Sequence, residues 1–382
     1  MKPITFKNMK SLNFFISYIF FLVLFSSCHK EKGNLNKLIH LELVDEVIFE
    51  LDSMTPVYSN DYQVISENDV LKLLFWNPRN SSIYIYDLET QKHLKTIQFE
   101  KEGNNGVGNK VSGFYYHNSD SIFLHSYYQR SFGLFDSGSN KVTSYPLQSN
   151  LEGVELPKSG HLMPFYFYDG KLIINNGGKC NNLSPQGRPP VVIIYDLLNK
   201  SILYDLSYSS DLFGEKANWP VTLCDVYNSV DSSNGLFAYS YAMSDKVLVT
   251  DHKGYEKEFF MSSNVVSNEK FKGVNYSATH PLDHMKVASR FAQYGALYFD
   301  KYRKFYLRFA NAPVDEERLE RNNFKARQNI IISDQDGVTI GEVEDFSGGN
   351  YLFFTERGIN QISSVPGNED VFKINIYRYE FN

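Results

Sequence analysis

Five times along this chain an apolar, β-branched or aromatic run closes on an aspartate and a turn: Ile83-Tyr84-Ile85-Tyr86-Asp87, Phe132-Gly133-Leu134-Phe135-Asp136, Val192-Ile193-Ile194-Tyr195-Asp196, Val247-Leu248-Val249-Thr250-Asp251 and Ile330-Ile331-Ile332-Ser333-Asp334. A sixth run, Ile374-Asn375-Ile376-Tyr377-Arg378-Tyr379-Glu380, follows near residue 382. The acidic positions lie 49, 60, 55, 83 and 46 residues apart, each interval long enough for four strands and their loops. After each aspartate come turn formers and one more short strand, at residues 92–99, 141–147, 201–208, 257–261 and 338–343. Two further strands precede it, as in Tyr115-Tyr116-His117-Asn118-Ser119-Asp120 turning into Ser121-Ile122-Phe123-Leu124-His125. Each unit therefore reads as one blade, and the chain as an all-β, six-bladed β-propeller of four-stranded antiparallel blades. The repeated aspartates belong to the fold rather than to calcium binding or catalysis, because an Asp after a strand opens a turn by accepting backbone N–H bonds.

The last unit has sequence for only three strands, at residues 350–355, 359–363 and 371–381. Residues 41–51, which contain Leu43, Val47, Ile48, Phe49 and Leu51, are strand-like but have no hairpin partner. Placing them as the outer strand of the last blade closes the ring and removes an exposed edge, which makes residues 41–382 a single domain. Composition agrees: 15% of residues are aromatic, with 27 Tyr and 30 Phe, and only 21% are charged, which is strand chemistry and argues against an all-α fold. A net charge of −6 without a basic arm excludes nucleic acid as a partner.

Residues 1–27 read as a secretory signal peptide: Lys2, Lys7 and Lys10 lead into the apolar run 14–25, which is followed by Ser26 and Ser27. The run is too short to span a bilayer, and no later segment is longer or as apolar. Phe25-Ser26-Ser27-Cys28 resembles the lipobox of bacterial lipoproteins, in which the cysteine becomes the lipid-modified N-terminus; the alternative is an ordinary cleavage site beside an incidental cysteine. Residues 28–40 then form a polar tether. Cys180 and Cys224 remain, with no CxxC pair, so zinc-ribbon and thioredoxin-like readings lapse. Cys224 lies in the run Val221-Thr222-Leu223-Cys224 and is expected to act as a small buried hydrophobe, with a Cys180–Cys224 bridge as the alternative.

With its lipobox, single closing strand and Tyr/Phe-rich Asp-turn blades, the chain resembles the TolB-like propeller lipoproteins of Bacteroidetes, a family largely of unknown function. The resemblance covers residues 41–382 and implies the fold and a cell-envelope location, as an outer-membrane lipoprotein facing the periplasm or the cell surface. It carries no catalytic residues onto this chain.

Enzyme signatures are missing: there is no GxSxG elbow, HExxH or P-loop, and the loop 103–108 lacks the strand-to-helix context of a phosphate cradle and reads as flexible. His280 and His284 have i, i+4 spacing, which suits either two metal ligands on a helix or polar residues of a long connection. No cofactor is expected. Lactonase-like propellers place acidic and amide ligands from several inner strands around a central cation, and Asp225, Asp120 and Asn118 are the residues that could serve one here.

Strand direction alternates within a blade, so second-to-third-strand and blade-to-blade connections emerge on one face. Three long insertions fall there: residues 175–190 in blade three, 262–289 between blades four and five, and 310–326 in blade five. Arg188, His280, His284, Arg290, Arg318 and Arg321 lie within or beside them, cations on an acidic body. Arginine presents a planar fork suited to carboxylates, so the partner expected on this face is a protein, peptide or glycan of acidic character. The competing expectation is that Glu316, Glu317 and Glu320 neutralise the blade-five arginines. The functional expectation is an envelope-anchored, monomeric binding module that touches the membrane only through its lipid. The alternative is a metal-dependent hydrolase or lyase at the mouth of the central channel.

Overall fold

The computed structural model describes residues 37–56, 59, 61–147, 159–176, 180, 189–208, 210–213, 219–266 and 281–381. Its strands follow the sequence repeat. β1 (Ile39–Glu50) comes first. Blade one is β2 (Tyr62–Glu67), β3 (Val70–Asn77), β4 (Ser82–Asp87) and β5 (His93–Gln98). Blade two is β6 (Val111–Asn118), β7 (Ser121–Ser126), β8 (Ser131–Phe135) and β9 (Lys141–Pro146). Blade three is β10 (Tyr166–Tyr168), β11 (Lys171–Asn175), β12 (Pro190–Asp196) and β13 (Ser201–Ser207). Blade four is β14 (Val226–Asp231), β15 (Leu236–Tyr241), β16 (Lys246–Thr250) and β17 (Glu256–Phe260). Blade five is β18 (Gln293–Asp300), β19 (Phe305–Asn311), β20 (Gln328–Asp334) and β21 (Thr339–Val343). Blade six is β22 (Leu352–Thr355), β23 (Gly358–Val365) and β24 (Asn368–Phe381), with β1 as its fourth strand. The described strands thus form six four-stranded antiparallel sheets in a propeller.

The closing strand pairs with β24 from Ile39↔Phe381 to Glu50↔Val371, with an irregularity between Leu43 and Asp45. It begins two residues before the expected Leu41. Leu38 makes a parallel bridge to Glu342, whose N–H donates to the Lys37 carbonyl at 3.1 Å, so the start of the strand also grips blade five. Only glycine fits opposite: a Cβ on Gly341 would lie 2.4 Å from that same carbonyl oxygen. At its far end β1 buries Phe49, stacked on Phe372 at 4.8 Å and edge-on to Tyr86 of blade one at 5.8 Å.

Period-two alternation explains the core. Leu73 packs in the cluster between blades six and one, and its neighbour Leu74 in the cluster between blades one and two. Phe123 and Leu124 divide in the same way between the two sides of blade two. One apolar cluster fills each blade-to-blade junction, which is why these strands are apolar on both faces.

The repeated aspartates hold turns. Asp87 Oδ1 accepts from the N–H groups of Glu89 and Thr90 at 2.8 Å each, and Asp136 Oδ1 from Gly138 and Asn140 at 2.9 Å each. Asp196 accepts from Asn199, Asp251 from Lys253 and Tyr255, and Asp334 from Asp336 and Val338, at 2.7–2.9 Å. Every one of these turns joins a third strand to a fourth and lies on the short-turn face.

Candidate functional site

The opposite face is built from the long connections. Cys180, in the insertion of blade three, is disulfide-bonded to Cys224 in the connection from blade three to blade four. The bridge corrects the expectation of a free buried thiol, although both cysteines are indeed fully buried. They share an apolar cluster with Tyr208, Phe213, Trp219 and Leu223. Phe213 ends the short helix α1 (Ser210–Phe213), and its carbonyl accepts from Trp219 Nε1 at 2.9 Å; the Cys224 carbonyl accepts from Tyr208 Oη at 2.8 Å. Ala288, from helix α2 (Pro281–Ser289) before blade five, packs into the same cluster. The Ser289 carbonyl in turn accepts from Val314 N at 2.8 Å, in the blade-five insertion. The three insertions therefore meet in one layer across blades three to five.

Of the candidate site residues, Cys28, Arg188 and His280 lie outside the described residues. His284 is half-buried on α2. Arg290 grips Glu316 with both prongs of its guanidinium, at 2.7 and 3.0 Å, and the pairing raises the arginine and lowers the carboxyl in pKa. Arg321 binds Glu317 at 2.7 Å along helix α3 (Glu316–Glu320), and Arg318 donates to the Lys325 carbonyl. The blade-five guanidiniums are thus engaged by neighbours within the layer. Their pairs with Glu316 and Glu317 are solvent-exposed, so a carboxylate competing for them would meet a weak bond.

Sequence reasoning missed the axis of the ring. On the inner strands of blades one, three and five, Tyr62 is buried and Tyr166 and Tyr298 are half-buried, and burial pushes their phenols up in pKa. The segment before β10 crosses between them. His161 stacks on Tyr62 at 3.9 Å, and its Nε2 lies 2.6 Å from Tyr62 Oη and 2.7 Å from Tyr298 Oη. These hydroxyls also reach the carbonyls of Leu352 and Asn350. Burial pulls His161, half-buried between the two tyrosines, down to about 3, so it joins Tyr62 to Tyr298 as a neutral imidazole. Tyrosines recurring on the inner strands were the available signal, but nothing in the sequence places His161 among them.

Two buried groups are structural. Arg308, on β19, stacks 3.6 Å from the Tyr294 ring and donates to the carbonyls of Met261, Tyr241 and Ser244, tying blade five to blade four. His125 Nδ1 lies 2.7 and 2.8 Å from the hydroxyls of Ser112 and Ser159, and its Nε2 is buried without a hydrogen-bond partner among the described residues. It lacks the orienting acid of a hydrolytic triad.

The residues nominated for a central cation do not converge. The Asn118 side chain accepts from Asp120 N at 2.9 Å in the β6–β7 turn on the short-turn face, whereas Asp225 is buried at the start of β14, on the opposite face. No group of three or more His, Cys, Asp or Glu among the described residues is placed to hold a metal. The loop 103–108, expected to be flexible, is tied down: Gly106 N bonds Gly103 O at 3.0 Å, Val107 N bonds Glu100 O at 2.8 Å, and Val107 is buried. Among the described residues no helix is long and apolar enough to cross a membrane.

The family model for a domain of unknown function, DUF4221, matches residues 39–344. The chain belongs to the DUF4221 family. A solved DUF4221 protein from Bacteroides vulgatus superposes with a TM-score of 0.76 at 18% identity, over 91% of this chain and 100% of that one. A candidate exported protein from Bacteroides fragilis superposes at 0.56 and 11% identity, over 92% and 98%. Both share the fold, and TolB-like is a loose but consistent label for it. No curated protein matches the chain.

Proposed function

We propose that this DUF4221 protein is an exported, lipid-anchored binding module that presents its long-loop face to a protein, peptide or glycan partner. The observation that carries the reading is the layer in which the insertions of blades three to five meet, locked by the Cys180–Cys224 bridge, while Asp-closed turns occupy the other face. Loops held on a rigid scaffold are where binding residues concentrate. A buried disulfide suits an oxidising compartment, in agreement with the leader and with the description of the B. fragilis relative as a candidate exported protein.

The test is capture from the native envelope with three proteins: the full chain, a variant with residues 312–326 replaced by a short Gly/Ser link, and a variant carrying Glu89→Arg and Leu198→Arg on the short-turn face. A partner lost only with the loop replacement supports the reading. A partner lost only with the short-turn changes overturns it.

A further inference from the structure

The long-loop face also carries a cleft of about 440 Å³ on blade two, lined by Lys101, Glu102, Gly103, Gly108, Asn109, Tyr128 and Gln129. One wall is the β5–β6 connection, whose Gly108 N bonds the Lys101 carbonyl at 3.0 Å. The other is the β7–β8 turn, in which Arg130 N bonds the Tyr127 carbonyl and Tyr127 N bonds that of Lys110. The walls approach so closely that a Cβ on Gly108 would lie 2.8 Å from Ser126 Oγ and 3.1 Å from Gln129 Nε2. Tyr128 stands at the turn's tip with 70% of its surface exposed. The Tyr127 ring braces it edge-on at 5.4 Å and is itself covered by Lys110 Nζ at 4.5 Å.

From this arrangement we infer that the blade-two cleft binds a neutral saccharide. A braced, exposed aromatic ring offers an apolar face to the C–H side of a pyranose, and the amides of Asn109 and Gln129 supply donors and acceptors for its hydroxyls. The charged residues that line the cleft are one cation, Lys101, and one anion, Glu102. A peptide added as a strand needs an unpaired sheet edge, and no sheet edge lines the cleft. The assignment rests on the long-loop face being the binding face, and it names the ligand class for one part of that face.

The test is titration calorimetry of the detergent-solubilised full chain against neutral hexasaccharides (β-1,3-glucan, β-1,4-glucan, α-mannan, β-galactan and chitin) and against oligogalacturonate. The inference predicts binding of at least one neutral hexasaccharide, weakened about tenfold or more by Tyr128→Ala and by Gln129→Ala but retained by Tyr128→Phe. It also predicts that replacement of residues 312–326 leaves this binding intact. Absence of neutral-saccharide binding, or binding indifferent to Tyr128→Ala, overturns the inference. If binding instead falls with the 312–326 replacement, the cleft is the wrong place although the face is right; if it falls only with Glu89→Arg and Leu198→Arg, both readings fail.

Discussion

His125 and His161 give the molecule a specific acid sensitivity. Burial holds them at about 4 and about 3, against about 6.5 in an unfolded chain. Their stabilising contribution is therefore complete above pH 6.5 and is lost as pH falls through that window toward the folded values, because the unfolded chain binds the protons first. Thermal midpoints should fall between pH 6.5 and 4, and His161→Gln should flatten the slope; an unchanged slope would contradict the neutral imidazole. The turn aspartates act lower on the scale. Backbone N–H bonds lower Asp87 and Asp251, and Asn140 lowers Asp136, so their contribution is lost only as pH falls below the ordinary carboxylate range. Arg308 is a different case. Burial pulls it down to about 10, so it remains charged at neutral pH while satisfying three carbonyls between two blades. Arg308→Met keeps bulk but strands those acceptors, and urea titration should show a loss of about 3 kcal/mol or more.

At the scale of elements, the closing strand decides whether blade six has a bare edge. Removing residues 1–36 should leave the melting transition nearly unchanged. Removing residues 1–51 strips β24 of its partner and empties the Phe49 site against Phe372, and should give aggregation or loss of the cooperative transition. Equal stability of the two truncations would refute the closure. The strands were legible in the sequence because third strands such as Val192–Tyr195 are short, apolar and closed by a turn-forming Asp, signals that are local in origin. The Cys180–Cys224 bridge was not, since bridging depends on two long connections meeting at a Cα separation of 5.3 Å, a tertiary fact. His161 was hidden for the same reason: its partners Tyr62 and Tyr298 lie 99 and 137 residues away.

Taken as a whole, the propeller has two unlike faces, one of short Asp-closed turns and one of insertions cross-linked by a disulfide. Closure of a 44-residue separation by that bridge contributes about 4 kcal/mol on a chain-entropy scale, so reductant should lower the midpoint of the wild type but not of a Cys180→Ser, Cys224→Ser variant. The arrangement of the arginines was only half legible. The sequence placed Arg290, Arg318 and Arg321 beside the long connections, and the contacts of Arg321 with Glu317 and of Arg318 with Lys325 are local, whereas the grip of Arg290 on Glu316 joins positions 26 residues apart and is a tertiary fact. The claim that the insertion-bearing face is the working one is tested most directly by photocrosslinking in the native envelope, with a photoreactive phenylalanine at Tyr128, His284 or Glu317 on one face and at Glu89, Leu198 or Lys253 on the other. The account predicts adducts from the first three positions and none from the second three; adducts confined to Glu89, Leu198 and Lys253 would contradict it.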